Sequence, residues 1–214
     1  SFLILESFLF FKCMNTVSIR KATVADAQGI LEIYAPHVVN SACTFESQVP
    51  TINEMEERIK KIIAVKPWLI CTINEKVVGY VYASVYRERA AYQWNCECSV
   101  YTHTDYSGKG IGYQLYKVLF SILKKQGYRN MYAVISLPNE ASVKLHERCG
   151  FEYFATYDNV GYKLGEWIKV GWWRLKLNEY DPEPAPPLLF SEVDFDSFRN
   201  LCKTAEAQVS KHLY

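Results

Sequence analysis

The sequence lacks a large excess of either charge, because 24 basic residues are balanced by 23 acidic ones and the formal net charge is +1. Because the charges are so evenly balanced, the protein has no electrostatic field that would attract polyanions at long range. This argues against a nucleic-acid-binding function, and it means that any anion must be held by local contacts.

Paired metal-binding cysteines are also missing. Of the seven cysteines only Cys96 and Cys98 lie close together, and no second pair or nearby histidine completes a zinc ligand set. We therefore predict no metal site, and reduced thiols in a cytoplasmic protein.

A membrane-spanning run is absent too. Residues 1–13 are apolar, but they include Glu6, lack a basic lead and are too short to cross a bilayer. Met14 follows directly and resembles a natural start. We interpret residues 1–13 as an N-terminal apolar extension, either an upstream addition or a packing arm, without chemistry, and we predict no membrane partner.

What the sequence does contain is an alternation of strand-like and helix-like segments. Half of the 214 residues are hydrophobic, which suffices for one core of ordinary size. The order is strand, helices, hairpin, strand, helix, strand, helix and strands, which predicts a mixed α/β domain over 14–178. A proline-rich linker, 179–190, and a helical tail, 191–214, are predicted to follow; within the tail the helical pattern covers 192–213.

A glycine-rich loop lies between a strand and an apolar helix. Gly108, Gly110 and Gly112 alternate with other residues, and Lys109 stands between the first two. The pattern fits neither the Walker loop nor the dinucleotide fingerprint. Bare backbone amides at a helix N-terminus can still hold a pyrophosphate, and the lysine adds positive charge. A merely flexible turn is the alternative interpretation.

A carboxylate lies in the strand just before this loop. The run YQWNCECSVYT is predicted as a strand that starts at Tyr92, with Glu97 on the same face as Asn95, Ser99 and Tyr101. Beside a phosphate cradle, Glu97 is placed to act as a base. A solvent-facing glutamate on an edge strand is the alternative.

Two motifs resemble those of the GCN5-related N-acetyltransferase (GNAT) superfamily. One is the window from Ser107 to Gly112, and the other runs from Asn139 through Ser142, Leu145 and His146 to Gly150 and Phe151. Further segments, such as Thr44-Phe45-Glu46 and the run Arg89 to Tyr92, are similar to the phosphinothricin (methionine sulfoximine) acetyltransferase branch. The resemblance covers about 17–177 and neither terminal extension.

The resemblance implies the GNAT fold, a mostly antiparallel mixed sheet flanked by helices, and acetyl-CoA as cosubstrate. It also implies direct transfer to an amine in a ternary complex, with Glu97 as base and His146 as candidate acid for the thiolate; His146 could equally be structural. The strand holding 100–102 is expected to separate from its neighbour. The residues implied to bind acetyl-CoA are Val100, Tyr101, Thr102, Gly108, Lys109, Gly110, Ile111, Gly112, Tyr113, Asn139 and Ser142.

The acceptor is expected to be a small amino acid or analogue of the phosphinothricin or methionine sulfoximine type. The resemblance places Thr44, Phe45, Arg89 and Tyr92 at its pocket, with Arg89 suited to a carboxylate. Core packing is the alternative for the two aromatic residues, and a plain surface position for Arg89. A homodimer is expected by analogy. A non-catalytic acetyl-CoA sensor, and an acetyltransferase for a protein N-terminus or a diamine, remain alternatives.

Overall fold

A seven-stranded sheet forms the centre of the protein, with the strand order β1-β2-β3-β4-β5-β7-β6. The structure is a computed structural model that describes residues 15–213, so the predicted extension over 1–13 lies outside the described residues. The strands are β1 Val17–Lys21, β2 Trp68–Ile73, β3 Lys76–Val85, β4 Asn95–Thr102, β5 Asn130–Leu137, β6 Glu152–Lys163 and β7 Glu166–Lys176. The α-helices are α1 Ala27–Asn40, α2 Ile52–Ile63, α3 Ile111–Gln126, α4 Glu140–Arg148 and α5 Arg199–Lys211.

Every strand pairing is antiparallel except the one between β4 and β5. That parallel ladder holds only three pairs, from Asn95 opposite Asn130 to Glu97 opposite Tyr132. Beyond Glu97, β4 stays paired with β3 as far as Thr102, while β5 continues along β7. The predicted separation of β4 from its neighbour is therefore confirmed.

Helices cover the two faces of the sheet with separate apolar clusters. On one face α1 and α2 pack through Ile30 and Ile59 against Trp68 and Tyr80. On the other face α3 is buried along Leu115, Leu119, Ile122 and their neighbours. Each such side chain contributes about 1.5–3 kcal/mol by leaving water, so these faces fix where the helices lie. The mixed α/β fold is confirmed.

Several helix ends follow the local chemistry of the sequence. At the start of α2 the Thr51 amide donates to the Glu54 carboxylate over 2.7 Å, and the Glu54 amide returns a bond to the Thr51 hydroxyl over 3.3 Å. This reciprocal pair satisfies two amides that the helix leaves open. Helix α3 ends at Gly127, whose φ of 95° closes the last turn.

Two predicted boundaries are wrong. The strand predicted from Tyr92 begins only at Asn95, because the Gln93 amide bonds the Ala90 carbonyl at 3.1 Å and closes a 3₁₀ turn instead. The tail helix predicted over 192–213 begins only at Arg199; two 3₁₀ turns precede it, and the Asp194 carboxylate caps the second.

The tail folds back along the domain. The Trp94 indole donates to the carbonyl of Ala185 over 2.8 Å, and the Ile19 amide of the edge strand β1 donates to Glu206 of α5 over 2.8 Å. Cys202 and Val209 are buried in the same apolar cluster as α3. The tail thus shares the core of the domain, while its separation as a unit of its own remains a prediction.

Candidate active site

The glycine loop forms a turn that only glycine adopts easily. Gly108 and Gly110 have φ values of 74° and 75°, in the left-handed region. A side-chain carbon built at either position would meet nothing within 4 Å. The turn leads directly into α3, whose first amides, at 111–113, have no acceptor within the helix. An anionic group can therefore approach this backbone unobstructed.

Gly112 is placed where three elements meet. A side-chain carbon there would lie 3.1 Å from Leu145 of α4 and 3.4 Å from Val100 of β4. The absence of that carbon lets the start of α3 lie close to the end of β4. Its neighbour Ile111 is buried, so it offers only backbone to a ligand. The Arg148 guanidinium lies 4.6 Å from the centre of the Tyr113 ring, which adds a cation beside the turn.

Glu97 lies at the point where β4 and β5 separate. It is half-buried and sits opposite Ser84 of β3 and Tyr132 of β5. Burial raises the pKa of Glu97 to about 7, an effect partly offset by the Arg87 guanidinium. A carboxylate with such a pKa exchanges protons readily near neutral pH, as a general base must.

An aromatic group flanks Glu97 on one side. The Tyr132 ring stacks on Tyr86 with 4.4 Å between centroids, and Tyr92 meets the edge of Tyr86 at 5.8 Å. Tyr92 is therefore brought to the neighbourhood of Glu97. Arg89, at the start of the same 3₁₀ turn, is exposed.

The sequence reasoning missed Tyr86, Arg87 and Tyr132. A signal for Arg87 was present, since it lies two residues before Arg89 in the same short basic run. No sequence signal pointed to the two tyrosines, because only the pairing of β3, β4 and β5 brings them together.

The loop after α1 carries Thr44 and Phe45, the other residues predicted at the acceptor pocket. The Thr44 and Tyr34 hydroxyls share a hydrogen bond of 2.7 Å, and the Lys163 ammonium of β6 donates to the Thr44 carbonyl over 2.7 Å. The Phe45 ring lies against Gly161, where a side-chain carbon would come within 2.3 Å of it. Phe45 nevertheless remains 47% exposed, so its ring has a free face for a ligand.

His146 is buried and makes hydrogen bonds through both ring nitrogens. Nδ1 lies 2.7 Å from the Ser142 carbonyl, which only a donor can satisfy, so Nε2 accepts from the Tyr116 hydroxyl over 2.8 Å. Burial lowers the pKa of His146, which keeps the ring neutral. This arrangement favours a structural role, and the acid role remains a prediction.

Asn139 caps α4, since its side-chain oxygen accepts from the Ser142 amide over 3.1 Å. The Asn139 amide nitrogen lies 3.4 Å from Cys43 of the loop after α1. Asn139 therefore connects the α4 side of the site with the loop that carries Thr44 and Phe45.

The geometry of the glycine turn and of the strand end beside it fits the binding of acetyl-CoA. Open space around Gly108 and Gly110, the close approach of α3 to β4 at Gly112 and the strand end at Val100–Thr102 follow one another toward Glu97. Backbone of 100–102 that faces away from β3 has no ladder partner on β5. Among residues 15–213 there is no cluster of side chains that could hold a metal ion.

Comparison with known proteins decides the family. A family model described as an acetyltransferase (GNAT) domain matches residues 19–172. The chain belongs to the GNAT acetyltransferases. The predicted superfamily and its acetyl-CoA-dependent N-acetyltransferase activity are thereby confirmed, with acetyl-CoA as cosubstrate.

Individual relatives agree with the predicted branch. Phosphinothricin N-acetyltransferase of Streptomyces viridochromogenes is 34% identical over 171 residues, covering 80% of this chain and 91% of the relative. The L-methionine sulfoximine/L-methionine sulfone acetyltransferase of Pseudomonas paraeruginosa is 34% identical over 174 residues, covering 80% and 99%.

A solved structure resembles this GNAT chain throughout the domain. The phosphinothricin acetyltransferase of Sinorhizobium meliloti, solved in complex with acetyl-CoA, has a TM-score of 0.75 and 32% identity, with 82% of this chain and 98% of that chain covered. No helix among residues 15–213 is long and apolar enough to cross a membrane.

Proposed function

We propose that this GNAT enzyme acetylates the amine of a small amino acid or amino-acid analogue of the phosphinothricin or methionine sulfoximine type. The observation that carries the proposal is the position of Glu97, a half-buried carboxyl whose pKa is raised to about 7, at the opening between β4 and β5. The relatives named for such acceptors support the choice of substrate class.

Glu97 is the base in this proposal. An amino-acid amine is mostly protonated at neutral pH and cannot attack a carbonyl until a proton is removed. The Glu97 carboxylate takes that proton, directly or through a water, and its raised pKa makes the transfer nearly balanced. Arg87 keeps part of the carboxyl ionised.

The cosubstrate is held by the turn and the strand end. Acetyl-CoA supplies the acetyl group as an activated thioester. The amides of 108–113 and the Lys109 ammonium bind its diphosphate, and the unpaired backbone of Val100, Tyr101 and Thr102 orients its arm toward Glu97. Asn139 and Ser142 line the α4 side of the same path. The bond between the acceptor nitrogen and the acetyl carbon forms as the carbon–sulfur bond of the thioester breaks, and the released thiolate takes up the second proton that the nitrogen loses. We propose His146 as a support for Tyr116 and α4.

The acceptor lies between the two walls described above, Thr44 and Phe45 on one side and Tyr92 on the other. Arg89 is exposed near Tyr92, where it can reach the acceptor's carboxylate. A diamine would need a free acidic group, and Glu46, the carboxylate next to Phe45, is already paired with Arg58 over 2.6 Å.

The test is release of thiol from acetyl-CoA with a panel of amino acids, with Glu97→Gln as the matched variant. We expect turnover with amino-acid acceptors and a loss of at least ~10²-fold in the variant, with coenzyme binding kept. Binding of acetyl-CoA without turnover for any acceptor would favour the sensor alternative. Full activity in Glu97→Gln would remove the base assignment.

A homodimer and a cytoplasmic location are parts of the same proposal. The exposed aromatic rings of β6 and β7, including Tyr162 and Trp167 at 63% each, are a surface that a second copy would cover. The six described cysteines are all free, in keeping with a reducing compartment. Analytical ultracentrifugation would decide the assembly.

A further inference from the structure

The proline-rich first part of the tail, 179–190, runs beside the start of β4 and β5. Four of its residues bond to the domain, namely Tyr180, Asp181, Ala185 and Leu188. The Ala185 carbonyl accepts from the indole of Trp94, just before β4, and the Tyr180 hydroxyl donates to Asn130 at the start of β5 over 2.9 Å. This part of the chain lies beyond the residues that the GNAT family model matches. Its bonds are therefore an addition to the matched domain.

Three hydrogen bonds in series connect Tyr180 of the tail with the backbone carbonyl of Tyr92. The Tyr180 hydroxyl donates to Asn130 Oδ1 over 2.9 Å. Asn130 Nδ2 donates to Asn95 Oδ1 over 2.8 Å, and Asn95 Nδ2 donates to the Tyr92 carbonyl over 3.4 Å. We call these four residues the tail relay. Asn95 and Asn130 are also the first pair of the parallel ladder that ends at Glu97.

The tail relay has a fixed direction because its last group is a backbone carbonyl. A carbonyl oxygen only accepts, so Asn95 turns its Nδ2 toward Tyr92 and its Oδ1 toward Asn130. Asn130 then presents its Nδ2 to Asn95 and leaves its Oδ1 for a donor, which the Tyr180 hydroxyl supplies. Asn130 is only 8% exposed, so water is a poor substitute for that donor. The tail hydroxyl therefore helps to hold both amides in the orientation that binds Tyr92.

The 3₁₀ turn at the end of the tail relay carries one wall proposed for the acceptor. It contains Tyr92 and begins at Arg89, whose carbonyl accepts from the Tyr92 amide over 2.9 Å. Residues 87–93 are all exposed, so burial contributes little to the position of this turn. Its place relative to the sheet therefore depends on the bonds at its end, where Asn95 holds the Tyr92 carbonyl.

Trp94 provides a second connection between the tail and this turn. Its carbonyl accepts from the Arg129 amide over 2.8 Å, and its indole donates to the Ala185 carbonyl over 2.8 Å. The Arg129 guanidinium is in turn paired with the Asp181 carboxylate of the tail. The residue that joins the turn to β4 is thus held from the domain and from the tail at once.

We propose that Tyr180 is a positioning residue for acceptor binding: through the tail relay it holds the 3₁₀ turn of Arg89 and Tyr92 in the place where this wall meets the acceptor amino acid. The tail thus takes part in substrate binding as well as in packing. The inference rests on the proposed function, because it takes Arg89 and Tyr92 as the acceptor wall. The glycine turn before α3 does not belong to the tail relay, so the binding of acetyl-CoA should not depend on Tyr180.

The experiment measures kcat and the KM values of L-methionine sulfone and of acetyl-CoA in the wild type and in Tyr180→Phe. The phenyl ring keeps the contact with the Lys176 ammonium, which lies 5.0 Å from the ring centre, and removes only the hydroxyl. We expect the KM of the sulfone to rise about three-fold, the size of one modest hydrogen bond, with kcat and the KM of acetyl-CoA unchanged. A purely structural hydroxyl would lower Tm and leave the KM of the sulfone as it is.

Two control variants separate positioning from a general loss of stability. Tyr153→Phe makes the same chemical change at a residue that is 54% exposed, against 59% for Tyr180, and whose hydroxyl bonds Thr156 within β6 over 2.7 Å. Val209→Ala weakens the packing of α5 without touching the tail relay. Both variants should keep the wild-type KM of the sulfone. A rise in Val209→Ala as large as in Tyr180→Phe would overturn the inference.

A double-mutant cycle tests the route itself. Asn95→Ala removes the link between Asn130 and the Tyr92 carbonyl. If Tyr180 acts through this link, adding Tyr180→Phe to Asn95→Ala should raise the KM of the sulfone no further. Increases that multiply, or an unchanged KM in Tyr180→Phe alone, would overturn the inference while leaving the proposed function in place. If the wild type acetylates no amino acid, the proposed function itself fails, and the inference fails with it.

Discussion

Glu97 and Tyr132 form the last pair of the short parallel ladder between β4 and β5. The carboxylate therefore stands at the point where the sheet opens, beside an aromatic ring rather than in bulk water. The same junction that is proposed to admit the thioester arm between the strands also desolvates the group proposed to take the proton.

The pH dependence of turnover follows from this burial. Because burial raises the pKa of Glu97 to about 7, the active carboxylate form is lost as pH falls below that value. We expect kcat/KM to fall about ten-fold per pH unit on the acid side, with a midpoint near pH 7. Arg87→Ala should move this limb to higher pH, since the cation that favours ionisation is removed. A limb near pH 4.5 in the wild type would contradict the assignment.

The raised pKa of Glu97 also predicts how the thermal stability of the protein depends on pH. Its pKa is raised in the folded state, so the folded protein holds the proton more tightly than the unfolded chain. The favourable contribution is complete below about pH 4.5, the ordinary value, and disappears as pH rises through about 7. Glu97→Gln, which stays neutral, should therefore have a higher Tm than the wild type at pH 8 to 9 and an equal Tm near pH 4. A thermal-shift series over pH measures this.

The proposed part of the glycine turn before α3 in binding coenzyme A can be tested by a substitution that causes no steric clash. At Gly110 the φ of 75° strains any other residue, although a side-chain carbon there meets nothing within 4 Å. Gly110→Ala should cost about 1 kcal/mol and turn the amides away from the diphosphate, raising the Kd for coenzyme A by roughly ten-fold. Calorimetric titration with coenzyme A measures the change.

Gly165→Ala is the control for that variant. Gly165 has a φ of 86°, also with nothing within 4 Å, but lies in the turn between β6 and β7. It should suffer the same strain while binding coenzyme A normally. Equal weakening in both variants would show that the glycine turn before α3 has no special part in binding.

Substitution of His146 distinguishes a structural role of this residue from a catalytic one. Removing its ring takes the nitrogen acceptor from the buried Tyr116 hydroxyl and leaves it only the weak acceptor sulfur of Cys98 at 3.4 Å, which costs about 1–3 kcal/mol. We therefore expect His146→Ala to have a clearly lower Tm, with turnover below that temperature reduced less than ten-fold. A direct acid would instead lose ~10²-fold in turnover. Single-turnover kinetics at low temperature distinguishes the two outcomes.

The sequence predicted the order of elements and the glycine turn because both depend on local chemistry. The structure shows the same local control at the ends of two helices, where Gly127 and the Thr51–Glu54 pair each act within a few residues of chain. The partners of Glu97 could not be found in this way. Tyr86 and Tyr132 are 46 residues apart in the chain and meet only because β3, β4 and β5 are neighbours in the sheet.

The path of the C-terminal tail along the domain could not be predicted from the sequence either. Its proline-rich composition predicted a linker, whereas hydrogen bonds from Trp94 and Gln126 to the carbonyls of Ala185 and Leu188 fix it to the domain. These bonds pair the tail backbone with side chains far away in the chain, and no local pattern reveals such partners.

The contribution of α5 packing can be measured as a change in the free energy of unfolding. Val209 is fully buried in the cluster that α5 shares with α3, so Val209→Ala should lower the free energy of unfolding by about 2 kcal/mol. Val39→Ala, at a position that is 58% exposed on α1, makes the same chemical change and should cost little. Urea denaturation of both variants gives the comparison. A single transition with the larger loss in Val209→Ala means that the tail unfolds together with the domain; equal stability of the two variants would mean that α5 does not dock in solution.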